Sequence, residues 1–236
     1  MPGAPAMTEP SSPELSAPRA HRRVAVFGAT GGAGRALVRL ALGQGRTVTA
    51  FGRSADTLRT VIGEWGANGR TVVGDVTSPA AVDVAVAGQD AVLVALGPRR
   101  GDDPAALTRG LQVVCESMAR HGVRRLVAIS GAGIRVEGDR KPAPDALISG
   151  LVRLLNRADV EAKEAQLAYL ATTALDWTVV RPPRLVDRPG TGRSLVADPH
   201  TIRGGRVVPY ADLAAWMLDE LDAGRWVRQA VFVAVG

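Results

Sequence analysis

A single cysteine, Cys115, stands among 236 residues, which excludes an internal disulfide framework and any multi-cysteine metal site. Histidine is nearly as scarce. His21, His121 and His200 lie far apart and lack the spacing of metal ligands. Redox work, if the protein does any, must therefore come from a cofactor. Aromatic residues make up only 4% of the chain, and no basic helix carries interleaved aromatics. The 29 lysines and arginines against 23 acids, a formal charge of +6, are scattered along the sequence, which argues against a nucleic-acid surface. That excess suits a phosphate-bearing small molecule better. No apolar run approaches the roughly 18 residues that span a bilayer, and the first twenty residues lack the apolar core of a signal peptide. The expectation is a cytoplasmic protein, monomer or homodimer, with neither a membrane nor a nucleic acid as partner.

What is present is a regular alternation. Residues 1–20 hold five prolines among Ala, Ser and Glu and read as a disordered leader. From residue 21 short apolar runs alternate with helical stretches, which predicts one α/β domain over 21–236, a doubly wound parallel sheet with helices on both faces. Strands are expected at 23–27, 47–51, 71–73, 91–95, 125–129, 177–180 and 230–235, rich in Val, Ile and Leu because both faces are buried. Helices are expected at 33–42, 104–121, 158–171 and 211–221. Two Gly-, Pro- and Arg-rich stretches, 133–144 and 182–208, follow carboxyl ends of strands, where an open α/β sheet binds its ligand; they are either substrate loops or plain solvated connections.

The run Gly28-Ala29-Thr30-Gly31-Gly32-Ala33-Gly34 follows a strand and opens a helix, the context in which a glycine pattern predicts a dinucleotide pyrophosphate site. Missing side chains permit a tight turn and close backbone approach, and helix-start N–H groups attract the anion. Its spacing is GxxGxxG, so Thr30 can offer a hydroxyl to the phosphate. At the end of the second strand, where a carboxylate would hold a ribose diol, the sequence has Arg53 and Ser54, predicting a 2′-phosphate and hence NADPH in preference to NADH. Asp75 and Val76 after the third strand are placed at the adenine, with a turn or helix-cap role for Asp75 left open. Leu96, Gly97 and Pro98 after the fourth border the nicotinamide side.

These residues, with AISGAG at the fifth strand, LDWTVVRPPRL, TGR and the late YADLAAWML helix, resemble the atypical short-chain dehydrogenase/reductases. Within them the chain is similar to the NAD(P)H-binding group that includes biliverdin-IXβ/flavin reductase and the NmrA-like proteins. The resemblance extends from Arg23 to the end. It implies a Rossmann fold, NADP(H) as cofactor, Ser130 and Lys163 as catalytic residues, Ser130 and Arg181 also at the cofactor, and Pro183 and Arg184 at the substrate. In the wider family a tyrosine four residues before the lysine is the proton donor; here that position is Asp159. A carboxylate ionised at neutral pH is a poor acid. Asp159 and Lys163 can equally form an i, i+4 salt bridge on the helix surface. The departure favours an acceptor that delocalises charge, such as a flavin, quinone or linear tetrapyrrole, over an ordinary ketone. It leaves a non-catalytic redox sensor of the NmrA type as the alternative.

Overall fold

Helices and strands form where the apolar pattern dictates. The computed structural model describes residues 21–63, 68–97, 103–140, 150 and 156–236. Residues 1–20, Pro98 and the 141–144 part of the first irregular stretch lie outside the described residues. In chain order the elements are β1 (Arg23–Phe27), α1 (Gly32–Gly43), β2 (Thr47–Gly52), α2 (Ala55–Ile62), β3 (Gly69–Val73), α3 (Pro79–Val86), β4 (Ala91–Val94), α4 (Pro104–Arg120), β5 (Arg125–Ile129), α5 (Arg157–Thr172), β6 (Asp176–Arg181), β7 (Leu185–Val186), β8 (Leu195–Asp198), β9 (Val208–Pro209), α6 (Tyr210–Ala223) and β10 (Gln229–Val235).

Eight strands make one sheet in the order β3-β2-β1-β4-β5-β6-β10-β8. All its pairings are parallel except β10 with β8. Successive strand residues point to opposite faces, and the core divides accordingly. Val24, Val26, Ala91 and Leu93 join the cluster under α1, α2 and α6, whereas Ala25, Phe27, Val92 and Val94 join the one under α3 and α4. Trp177 and Trp216 are packed into these clusters and Trp226 lies against one of them. No helix among the described residues is long and apolar enough to cross a membrane.

The chain runs outward from β1 through β2 to β3, then returns to β4 on β1's other side. That reversal opens a crevice beyond the carboxyl ends of β1 and β4, the position that such sheets use for ligands. One expectation needs correcting. The 182–208 stretch is not irregular throughout, because it holds β7, β8 and β9. β7 and β9 pair as a two-stranded ribbon, and β8 runs antiparallel to β10, satisfying an edge that would otherwise be open.

Candidate functional site

The glycines of the first turn divide the work between packing and access. Gly28 has φ +81°, and a Cβ there would lie 2.4 Å from the Ala95 carbonyl oxygen, so the turn presses directly on the end of β4. A Cβ on Gly34 would fall 2.0 Å from the Gly28 carbonyl oxygen, which fixes how closely α1 approaches the turn. Gly32 makes room for the Tyr210 ring, only 2.3 Å from where its Cβ would be. Ala33 is buried inside the first turn of α1. Gly31 is the N-cap of α1 and donates its N–H to the Gly28 carbonyl at 3.0 Å. No side chain caps this helix, so its positive end faces the crevice with backbone groups alone.

Gly28, Thr30 and Gly31 line a cleft with Gly52, Arg53, Asp75, Val76, Leu96, Gly97 and Leu107. Each strand contributes the residues just past its carboxyl end. Arg53 is exposed at the mouth after β2. Ser54 caps α2, its hydroxyl oxygen accepting from the Thr57 N–H at 3.3 Å and from the Thr57 hydroxyl at 3.0 Å, so only its hydroxyl hydrogen remains to be donated to a ligand. Asp75 accepts from the N–H and hydroxyl of Thr77 at 2.8 and 2.6 Å, a side-chain turn that orients it beside the cleft, while Ser78 is the N-cap of α3. Val76 packs over Gly110 of α4, where a Cβ would come within 2.4 Å of its methyl. A Cβ on Gly97 would meet nothing within 4 Å. These features suit a dinucleotide: an uncapped helix start for the pyrophosphate, a cation where a ribose phosphate would sit, and an apolar wall for the adenine.

A second cleft, about 640 Å³, opens beyond β5 and β6. Lys163 and Asp159 line it from α5 and Asn156 from that helix's N-cap, Gly131 and Ile134 from the loop after β5, and Pro183 and Arg184 from the loop after β6. Lys163 Nζ lies 3.7 Å from where a Gly131 Cβ would be, next to Ser130 in sequence. The Ser130 hydroxyl oxygen is buried and has no hydrogen-bond partner, a state that costs about 1–3 kcal/mol unless a ligand or solvent satisfies it. Of the two readings left open for Asp159 and Lys163, the surface salt bridge is not formed; the i, i+4 ion pair among the described residues of α5 is Arg157–Glu161 at 2.7 Å.

Arg181 requires a correction. Its guanidinium, expected at the cofactor, is fully buried and held by both Asp139 carboxylate oxygens at 2.8 and 2.6 Å and by the Ile134 carbonyl at 2.9 Å. It also stacks 3.9 Å from the centre of the Phe232 ring. It therefore pins the 131–140 loop onto the sheet and lines neither cleft. Cys115 is a packed thiol; burial, aided by Glu116, pushes its pKa up to about 12, which removes it as a nucleophile. His200 packs against Gly138 and donates its backbone N–H to Asp198, away from both clefts.

Sequence reasoning missed four contributors. Tyr210 braces Gly32, and Arg206 with Val207 lines the second cleft. Asp212, nearly buried, accepts from the Thr191 N–H and hydroxyl, the latter at 2.6 Å, which ties TGR to the YADL helix start. Only the TGR and YADL motifs signalled any of this, and they carried no pairing information.

Comparison with known proteins agrees with this geometry. A family model described as NAD(P)H-binding matches residues 28–223. A short-chain dehydrogenase/reductase of the wide type from Veillonella parvula DSM 2008, solved in complex with NADP, superposes with a TM-score of 0.74 at 18% identity, covering 91% of this chain and 94% of that one. ChuY, an anaerobillin reductase from Escherichia coli O157:H7, gives 0.74 at 21% identity, covering 90% and 97%. A Rossmann-fold NAD(P)-binding family protein from Shigella flexneri gives 0.68 at 19%, covering 92% and 96%. At these identities the likeness establishes the shared fold.

Proposed function

The chain belongs to the NAD(P)H-binding family, and from that premise we propose that it is an NADPH-dependent reductase of a flavin, quinone or other conjugated small molecule. The observation that carries the reading is the neighbouring of two clefts along one sheet edge, the glycine turn and Arg53 in one, Lys163 and Arg184 in the other. β4, which ends at the first cleft, and β5, which ends at the second, are adjacent, so ligands in the two clefts would approach each other between Gly97 and Gly131, beside Ser130.

Arg53 and Ser54 are assigned to the 2′-phosphate, and the α1 start with Thr30 to the pyrophosphate. When bound, NADPH supplies a hydride, which with one proton completes a two-electron reduction and leaves NADP⁺. The protein's own residues orient and stabilise. The Lys163 ammonium would face negative charge developing on the acceptor, and the unsatisfied Ser130 hydroxyl would donate to a ligand oxygen or nitrogen. With Asp159 where the wider family has tyrosine, no fixed phenol delivers the proton; a conjugated acceptor, protonated from solvent, needs none. That aspartate also supports the rival reading, an NmrA-like sensor that binds NADP(H) without turnover.

The test is NADPH oxidation followed at 340 nm against riboflavin, a quinone and a linear tetrapyrrole, repeated with NADH and with Arg53→Ala. Saturable turnover is expected with NADPH preferred. Loss of a charge-assisted contact worth about 1.5–3 kcal/mol should lower kcat/KM for NADPH roughly 10- to 100-fold and close most of the gap to NADH. Tight NADPH binding with no turnover on any acceptor would favour the sensor, and an unchanged NADPH preference in Arg53→Ala would remove Arg53 from the phosphate site.

A further inference from the structure

We infer that the second cleft selects an acceptor carrying its own acid group, a carboxylate or phosphate, held by Lys163 and Arg184 while the conjugated ring lies against the apolar wall. The inference deepens the reductase reading and rests on it for the identity of the ring.

The argument starts from how this protein treats its cations. The cations most deeply embedded in the fold are each met by a carboxylate: Arg46 has Asp222 at 2.7 Å, Arg125 has Glu220 at 3.0 Å, and Arg181 has Asp139 at 2.6 Å. Lys163 and Arg184 line one cleft, and among the described residues neither has an acidic partner within 4.0 Å. Asp159 is the one acid in the lining among the described residues, so Lys163 and Arg184 together outweigh it by about one positive charge at neutral pH. Lys163 is half-buried at the cleft wall, where a visiting anion would meet it with less screening than on the open surface.

The rest of the lining fits the remainder of such a molecule. Ile134, almost fully buried, with Val160, Pro183, Ile202 and Val207, forms an apolar surface. A volume near 640 Å³ is in the range of small-molecule sites and accommodates a fused ring system with a short acidic arm. A neutral ring would use the wall and leave the cations solvated. An anionic one uses both, and the charge would also raise its encounter rate at low ionic strength.

The experiment holds the ring constant and changes the arm. With the full chain and saturating NADPH, kcat/KM is measured for FMN against riboflavin, which differ by the phosphate, and for 10-carboxymethylisoalloxazine against its methyl ester, which differ by the carboxylate. In at least one pair the acid should exceed its neutral partner by roughly tenfold at ~0.02 M salt, the ratio shrinking toward one at ~0.5 M, with the difference carried by KM. If phosphate is the group read, the first pair alone discriminates; if carboxylate, the second alone. Arg184→Ser should collapse the ratio that the wild type shows. The same pairs are compared for binding in the presence of NADP⁺, by flavin fluorescence, so that recognition is read without turnover. Tighter binding of an acid without turnover would uphold the inference and overturn the reductase reading. Turnover with equal kcat/KM within both pairs, or binding that is absent or equal within both pairs, would overturn the inference.

Discussion

Asp139→Ala is expected to lower the free energy of unfolding by about 3–5 kcal/mol, the usual cost of removing one partner from a buried ion pair. Arg181 has no exposed surface, and its Nε already lacks a hydrogen-bond partner. Without Asp139 the guanidinium keeps only the Ile134 carbonyl and the Phe232 ring, and its charge stays buried. For a chain of this size that loss corresponds to a melting temperature lower by about 10 °C. The 131–140 loop would loosen with it, because Asp139 also accepts from the Val136 N–H at 3.2 Å and the loop carries Ile134 and Gly131 into the acceptor cleft. Asp139→Asn, which keeps an acceptor oxygen but not the charge, should fall between. Thermal and urea unfolding decide the matter: an unfolding free energy for Asp139→Ala within about 1 kcal/mol of wild type would mean that the pair is not the clamp described above.

Gly34→Ala is expected to weaken cofactor binding through the backbone of the turn, without removing any group that touches the ligand. The new methyl would stand 2.0 Å from the Gly28 carbonyl oxygen and 2.7 Å from its carbon, both backbone atoms without a rotamer to yield. Either α1 moves away from the turn or the turn shifts toward the crevice, and overpacking of this kind costs about 1–3 kcal/mol. NADPH affinity should fall roughly thirtyfold, equivalent to ~2 kcal/mol, and the rise in melting temperature that saturating NADPH gives the wild type should shrink accordingly. Gly205→Ala, where an added methyl would make an ordinary 3.6 Å contact with Val235, is the control. A Gly34→Ala protein that binds NADPH as wild type does would show that the turn can rearrange without disturbing the site.

The inner strands β1, β4, β5, β6 and β10 were legible because they are buried on both faces and so read as near-continuous apolar runs; the glycine turn was legible because its glycines sit where β1 ends and α1 begins. The roles within the turn were not. Gly32 answers to Tyr210, 178 positions later, and no local pattern encodes that contact. Arg181 shows the same limit more sharply. In RPPR it reads as a site residue beside Arg184, but the pleat of β6 turns it to the face of Val179, opposite Phe232 of β10 in register, and its counter-ion is 42 residues upstream. Arg184, three residues on and past the strand end, escapes that constraint and reaches the cleft. The strands inside 182–208 were hidden for another reason. Each is two to four residues long and flanked by Gly, Pro and Arg, and β8 exists by pairing with β10, a partner outside any sequence window.

The most direct test of the account is an equilibrium titration of the wild-type chain with NADPH and with NADH, by calorimetry or nicotinamide fluorescence. The cleft formed by the glycine turn, Arg53 and Gly97 predicts saturable binding of one NADPH per chain, with NADH weaker by roughly tenfold or more. An absence of saturable binding by either dinucleotide would contradict it.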